Sequence, residues 1–148
     1  EFANNQKYQA YKTSLPEKED LYALYEHLGW NDFLKLDQEA LIKAMEGSYL
    51  SVYAYCEGRL IATGRIVSDG VINAYLCGLG VHSQFRGRGI ATEIIKILVD
   101  NCREKGLHIQ FFCEEELVPF YEKAGFERFA AGMKFCEQGI KINYRRPG

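Results

Sequence analysis

The sequence predicts a mixed α/β fold, α+β in arrangement, with a mainly antiparallel sheet flanked by helices. Two observations carry this. Residues 49–81 alternate apolar and polar positions in three runs broken by the turn pairs Glu57-Gly58 and Asp69-Gly70, the pattern of an antiparallel meander. The last run, VINAYLCGLGV, then leads through the glycine loop QFRGRG into an amphipathic segment and a second apolar run, LHIQFFC. That is strand, loop, helix, strand, and a connection of this length favours a right-handed crossover that sets the last strand parallel to its predecessor.

Each element has its own signal. Residues 7–11 read as a short first strand. Leu21, Leu24, Tyr25 and Leu28 share one helical face, with Pro16 before it and Gly29 after it. A second helix is expected from Gln38, where Asp37 can accept from the first free N–H groups, with Leu41, Ala44 and Met45 inward and Gly47 at its end. After the glycine loop, Ala91, Ile94, Ile95, Leu98 and Cys102 fall on one face of a helix that Gly106 closes. A strand over 107–113, a short helix over 118–124 closed by Gly125, and a terminal pair of strands near 126–129 and 132–136 complete the expected order.

Composition narrows the function classes. With 148 residues, 47% of them hydrophobic, the chain reads as one domain over 1–148 with a sizeable core of its own. The net charge of −2 gives no basic bias toward nucleic acid or an anionic membrane, so a small-molecule partner fits better. The five cysteines, Cys56, Cys77, Cys102, Cys113 and Cys136, are odd in number and set in apolar segments, which suits reduced thiols and a cytoplasmic location rather than a disulfide framework or a zinc site. No apolar run is long enough to span a bilayer, and the polar start resembles neither a signal nor a transit peptide.

Chemistry concentrates in the loop. Gly87 and Gly89 permit backbone angles closed to other residues, so successive N–H groups can turn toward one anion at the positive end of the following helix, with Arg86 and Arg88 adding charge. With FYEKAGF at 120–126 further on, the chain resembles the GNAT superfamily of acetyl-CoA-dependent N-acetyltransferases. Its signature Q/R-x-x-G-x-G/A stands here as Gln84-Phe85-Arg86-Gly87-Arg88-Gly89, and the order of elements fits over nearly the whole chain.

The resemblance implies a set of roles. Acetyl-CoA would be the co-substrate, its pyrophosphate held by Gln84, Phe85, Arg86, Gly87, Arg88, Gly89, Ile90, Ala91 and Thr92, largely through backbone N–H groups. Leu79, Gly80 and Val81 would pair with the pantetheine arm, and the two parallel strands would splay to let the thioester meet its acceptor. An amine attacks the carbonyl, the N–H of Val81 stabilises the oxyanion, and Tyr121 protonates the departing thiolate. No metal is required. The base is less well specified: Glu114, Glu115 and His82 are the candidates, and Glu114 departs from the asparagine that many relatives place against the pantetheine arm. Trp30 and Asn31 either line the acceptor pocket or plug the core, and residues 129–134 would border that pocket. Homodimers occur in the family.

Three functions follow from these residues. The first is an N-acetyltransferase acting on a small primary amine or on a protein or peptide amine. The second is a catalytically silent sensor that binds CoA or acyl-CoA through the same loop. The third, a dinucleotide-binding oxidoreductase suggested by Gly78-Leu79-Gly80, ranks last because Ser83 replaces the expected third glycine and an antiparallel meander precedes the loop.

Overall fold

The computed structural model describes residues 9–136. Its single five-stranded sheet runs in sequence order: β1 (Gln9–Lys12), β2 (Leu50–Cys56), β3 (Arg59–Ser68), β4 (Asn73–Val81) and β5 (His108–Gln110). The first four strands pair antiparallel and β5 joins β4 in parallel, as the meander and the crossover require. Alternation along the strands divides the core between the two faces of this sheet. Val52, Ala54, Ala62 and Ile66 turn to one face, under α4 (Ile90–Glu104). Ile94, Leu98 and Cys102 of that helix are 0% exposed, spaced at i, i+4 and i+8 along one side.

Tyr53 and Leu60 turn to the other face, covered by α1 (Lys18–His27), α2 (Asn31–Leu34) and α3 (Gln38–Glu46). Asp37 caps α3 as expected, its carboxylate accepting from the N–H of Ala40 at 2.8 Å. The α2 turn was not foreseen. It is a single four-residue turn ending at Lys35 in the left-handed region (φ 53°), too short to show any periodicity.

Three expected boundaries move. The run expected from Val71 begins as a strand only at Asn73, because Asp69 accepts from the N–H groups of Val71 and Ile72 at 2.8 and 2.7 Å and holds them in a turn. The strand expected over 107–113 shortens to His108–Gln110, since only Asn73, Ala74 and Tyr75 have partners on it. The expected terminal strand pair is not formed: residues 126–136 contain no strand, with Phe129, Met133 and Phe135 at 65, 90 and 84% exposure. With β5 only three residues long, little ladder is offered for such a pair to extend. The short final helix, α5 (Val118–Lys123), lies where it was expected.

Candidate functional site

The glycine loop grows out of the end of β4. His82 folds back so that its Nδ1 accepts from the N–H of Gln84 at 3.2 Å, fixing the turn Ser83–Phe85. Gly87 and Gly89 then take φ values of 78° and 79°, and Gly89 caps α4 with no side chain to engage the helix start. Among the described residues, no acceptor is seen for the N–H groups of Gly87, Arg88 and Gly89, and those of Ile90, Ala91 and Thr92 belong to the first turn, which has no intrahelical carbonyls to use. A Cβ built at Gly87 or Gly89 would meet nothing within 4 Å, so no neighbour crowds the loop at either glycine. Open N–H groups at the positive end of a fifteen-residue helix fit a pyrophosphate.

The arginines behave differently from one another. Arg86 is exposed and its Nε donates to the carbonyl of Val81 at 3.1 Å, tying the loop to the strand end. Arg88 stacks its guanidinium over Phe85 at 5.1 Å.

Beside the loop, β4 and β5 part. Their pairing ends at Tyr75 and Gln110, while β4 continues six residues to Val81. Register decides where the Val81 amide points. The N–H of His82 donates to Ile61 at 2.7 Å, so the neighbouring pair Ala62 and Val81 is the non-bonded type, and the polar groups of Val81 point away from β3. They face the gap left by β5. The Val81 carbonyl is occupied by Arg86; its N–H has no opposing strand. Earlier in β4 a bulge at Gly78 and Leu79 shifts the register against β3.

Tyr121, on α5, packs among aromatic rings beyond the end of β5. Its ring lies 4.5 Å from that of Phe111, the first residue beyond β5, and 6.0 Å from Phe126. The FYEKAGF segment thus places its tyrosine against the residue that follows β5.

The three candidate bases separate clearly. Glu115 is held by Arg128 in a two-pronged ion pair, Nη1 to Oε1 at 3.1 Å and Nη2 to Oε2, and this pairing keeps its carboxyl below the usual range. His82 is 7% exposed and stacks on His27 at 3.6 Å. Its Nδ1 accepts from the N–H of Gln84, and the Nη2 of Arg59 stands 3.0 Å from the other ring nitrogen, Nε2. Desolvation first, then His27, Arg59 and Arg86, lower its pKa. Glu114 begins the turn Glu115–Leu117, and no described side chain engages its carboxylate.

Trp30 and Asn31 lie inward. Trp30 is 5% exposed, packs edge-on against Tyr25 at 4.9 Å, and lies so close to β4 that a Cβ on Gly80 would fall 2.6 Å from its ring. It fills the core and contacts the strand expected to carry pantetheine. Asn31 donates to the Tyr22 carbonyl at 3.3 Å and to Glu26 Oε1 at 2.8 Å, fastening α2 to α1. Residues 129–134 are exposed and without regular structure.

Sequence reading overlooked Arg65, His27 and Arg59. Arg65 had a detectable signal, a charge at a position of β3 that alternates with core residues. His27 and Arg59 reach His82 across 55 and 23 positions of chain, and no local pattern marks them.

Comparison with known proteins agrees with this geometry. Residues 23–143 match the family described as "Acetyltransferase (GNAT) domain". The chain belongs to that family of acetyl-CoA-dependent N-acetyltransferases. It is 28% identical over 127 residues to the histone acetyltransferase TAP1 of Glycine max, covering 78% of this chain and 54% of the relative. The chain spans about half the length of the first such relatives, 54 and 44%. Among solved structures it resembles an acetyltransferase, GNAT family protein, of Streptococcus pneumoniae (TM-score 0.72, 24% identity, 88% of this chain and 98% of that one). It also resembles a predicted acetyltransferase of Clostridium acetobutylicum solved with acetyl-CoA (TM-score 0.64, 18% identity, 86 and 96% covered). Among the described residues, no three His, Cys, Asp or Glu side chains form a metal cluster, and no helix is long and apolar enough to cross a membrane.

Proposed function

We propose that this protein moves the acetyl group of acetyl-CoA directly to a primary amine. The observation that carries the reading is the open, twice left-handed loop at the start of α4, set beside an unpaired stretch of β4. The loop and first-turn N–H groups from Gly87 to Thr92 would hold the pyrophosphate, with Arg88 adding charge and Phe85 and Arg86 shaping the loop. Leu79, Gly80 and Val81 would pair with the pantetheine arm, and acetyl-CoA supplies an acetyl group activated by its thioester. In the net reaction a C–N bond forms, a C–S bond breaks, the amine loses a proton and the CoA thiolate gains one.

The chain's own groups act at three points. The N–H of Val81, preorganised toward the gap, stabilises negative charge on the acetyl oxygen. Tyr121 supplies the proton to the departing sulfur. Glu114, or a water it orients, accepts the amine proton; Glu115 is committed to Arg128, and both ring nitrogens of His82 face donors. His82 instead shapes the loop. None of the five cysteines is in a disulfide, as suits a reducing compartment.

The test is release of free CoA thiol from acetyl-CoA across amines, amino acids, polyamines, aminoglycosides and peptides, with product mass confirmed. Turnover on any member supports the transferase reading. Tight CoA binding with no turnover on every member would favour the silent sensor.

A further inference from the structure

We propose that the acceptor carries a carboxylate or phosphate in addition to its amine, and that Arg65 is the group that holds it. This rests on the acetyltransferase reading for the amine end. Arg65 lies on the face of β3 turned toward α1 and α3, opposite Ser51 on β2 and Cys77 on β4. It is half-buried, and among the described residues no carboxylate lies within ion-pair distance of it. Its Nη1 donates to Ser48 Oγ at 3.2 Å, and its buried Nε has only the neutral Tyr25 hydroxyl beside it, no anion.

The surroundings repeat the deficit. Tyr53 and Thr63 are 0% exposed and Ser51 is 7% exposed; the Thr63 hydroxyl is buried with no hydrogen-bond partner, and those of Tyr53 and Ser51 have only one another. A cation taken partly out of water without a counter-charge is costly, and under-used hydroxyls beside it compound that cost. An anion would answer both. Tyr25 adds a further donor: burial pushes its phenol up to about 12, despite the opposing pull of Arg65, so it stays protonated.

Position makes this an acceptor subsite. Arg65 Nε and Tyr25 Oη lie 3.4 and 3.6 Å from the point where a Cβ on Gly78 would stand, against the β4 bulge. Gly78 is three residues before Val81, roughly 10 Å along a strand. An amine at the Val81 end and an acid at Arg65 therefore suit a linear ω-amino acid better than an α-amino acid bound through its α-amine.

The probes are 6-aminohexanoate, its amide, and 6-aminohexyl phosphate as acetyl acceptors. Unreactive 6-acetamidohexanoate and its amide serve as binding ligands in the presence of CoA. We expect kcat/KM for the acid to exceed that for the amide by roughly ten- to a hundredfold, the range of a charged hydrogen bond, and Arg65→Gln to bring the ratio toward one. Preference for the phosphate would assign the anion to that class, also in support. Equal wild-type affinity for 6-acetamidohexanoate and its amide would overturn the proposal, and needs no variant to fold. So would an unchanged acid preference in folded Arg65→Gln. Binding of 6-acetamidohexanoate that depends on Arg65, with no amine ever acetylated, would keep the anion site and refute the transferase reading instead.

Discussion

His82 shows how one side chain can be drawn out of catalysis by its neighbours. Its folded pKa lies below the ordinary 6.5, so the unfolded chain binds more protons than the folded one just below that pH. The associated stability is complete above about pH 6.5 and is lost as pH falls from there through the folded pKa. Chemical denaturation between pH 7.5 and 5.5 should therefore show a fall in unfolding free energy that is reduced in His82→Asn; identical slopes in the two proteins would contradict this. Tyr121 is the opposite case, a ring held in an aromatic cluster whose hydroxyl we propose as the proton donor. Tyr121→Phe should lower turnover by about 10²–10⁴-fold with little change in CoA affinity, provided chemistry limits the rate. Normal turnover in a stably folded Phe variant would remove it from the mechanism.

At the level of the element, the glycine loop and α4 act as one unit: the helix supplies the field and the loop turns its N–H groups outward. Gly89→Asp strains a residue at φ 79° and puts a negative charge where pyrophosphate is expected, so calorimetry should show CoA affinity falling by about a hundredfold or more. Arg88→Ala should cost less, because backbone groups make most of the contacts. Arg86→Ala should act indirectly, through release of the Val81 carbonyl. The helix itself is anchored by its buried stripe. Leu98, 0% exposed against β2 and β3, should cost about 2–5 kcal/mol on replacement by Ala, read from denaturant midpoints at constant slope.

On the scale of the whole molecule, one sheet serves two cores. Strands β2 and β3 send alternate side chains to α4 and to α1–α3, so neither layer can be stripped away without exposing the other's backing. We expect a single cooperative transition over this domain. Trp30 is the chain's one tryptophan and sits in the α1–α3 layer, so its fluorescence reports that side, while far-UV circular dichroism reports all elements. The two denaturation curves should superimpose; separate midpoints would show that the layers unfold independently.

The sequence alone determined what depends on near neighbours. The meander follows from period-two alternation and its two turn pairs, α3 from the Asp37 cap, and α4 from the spacing of Ile94, Leu98 and Cys102. The glycine loop was legible because a left-handed backbone at 87 and 89 is a local property of glycine. What required the fold was every assignment made across the chain: the end of β5 at Gln110, the direction of the Val81 amide, and the absence of strands over 126–136. The same holds for the choice among candidate bases. Glu115 and Glu114 are adjacent in sequence, yet Arg128, thirteen residues on, engages only the first. His82 is committed by His27 and Arg59, and Arg65 is set apart by what does not surround it. Backbone geometry is written in consecutive residues, whereas proton affinity and charge compensation depend on which distant groups packing brings within a few ångströms.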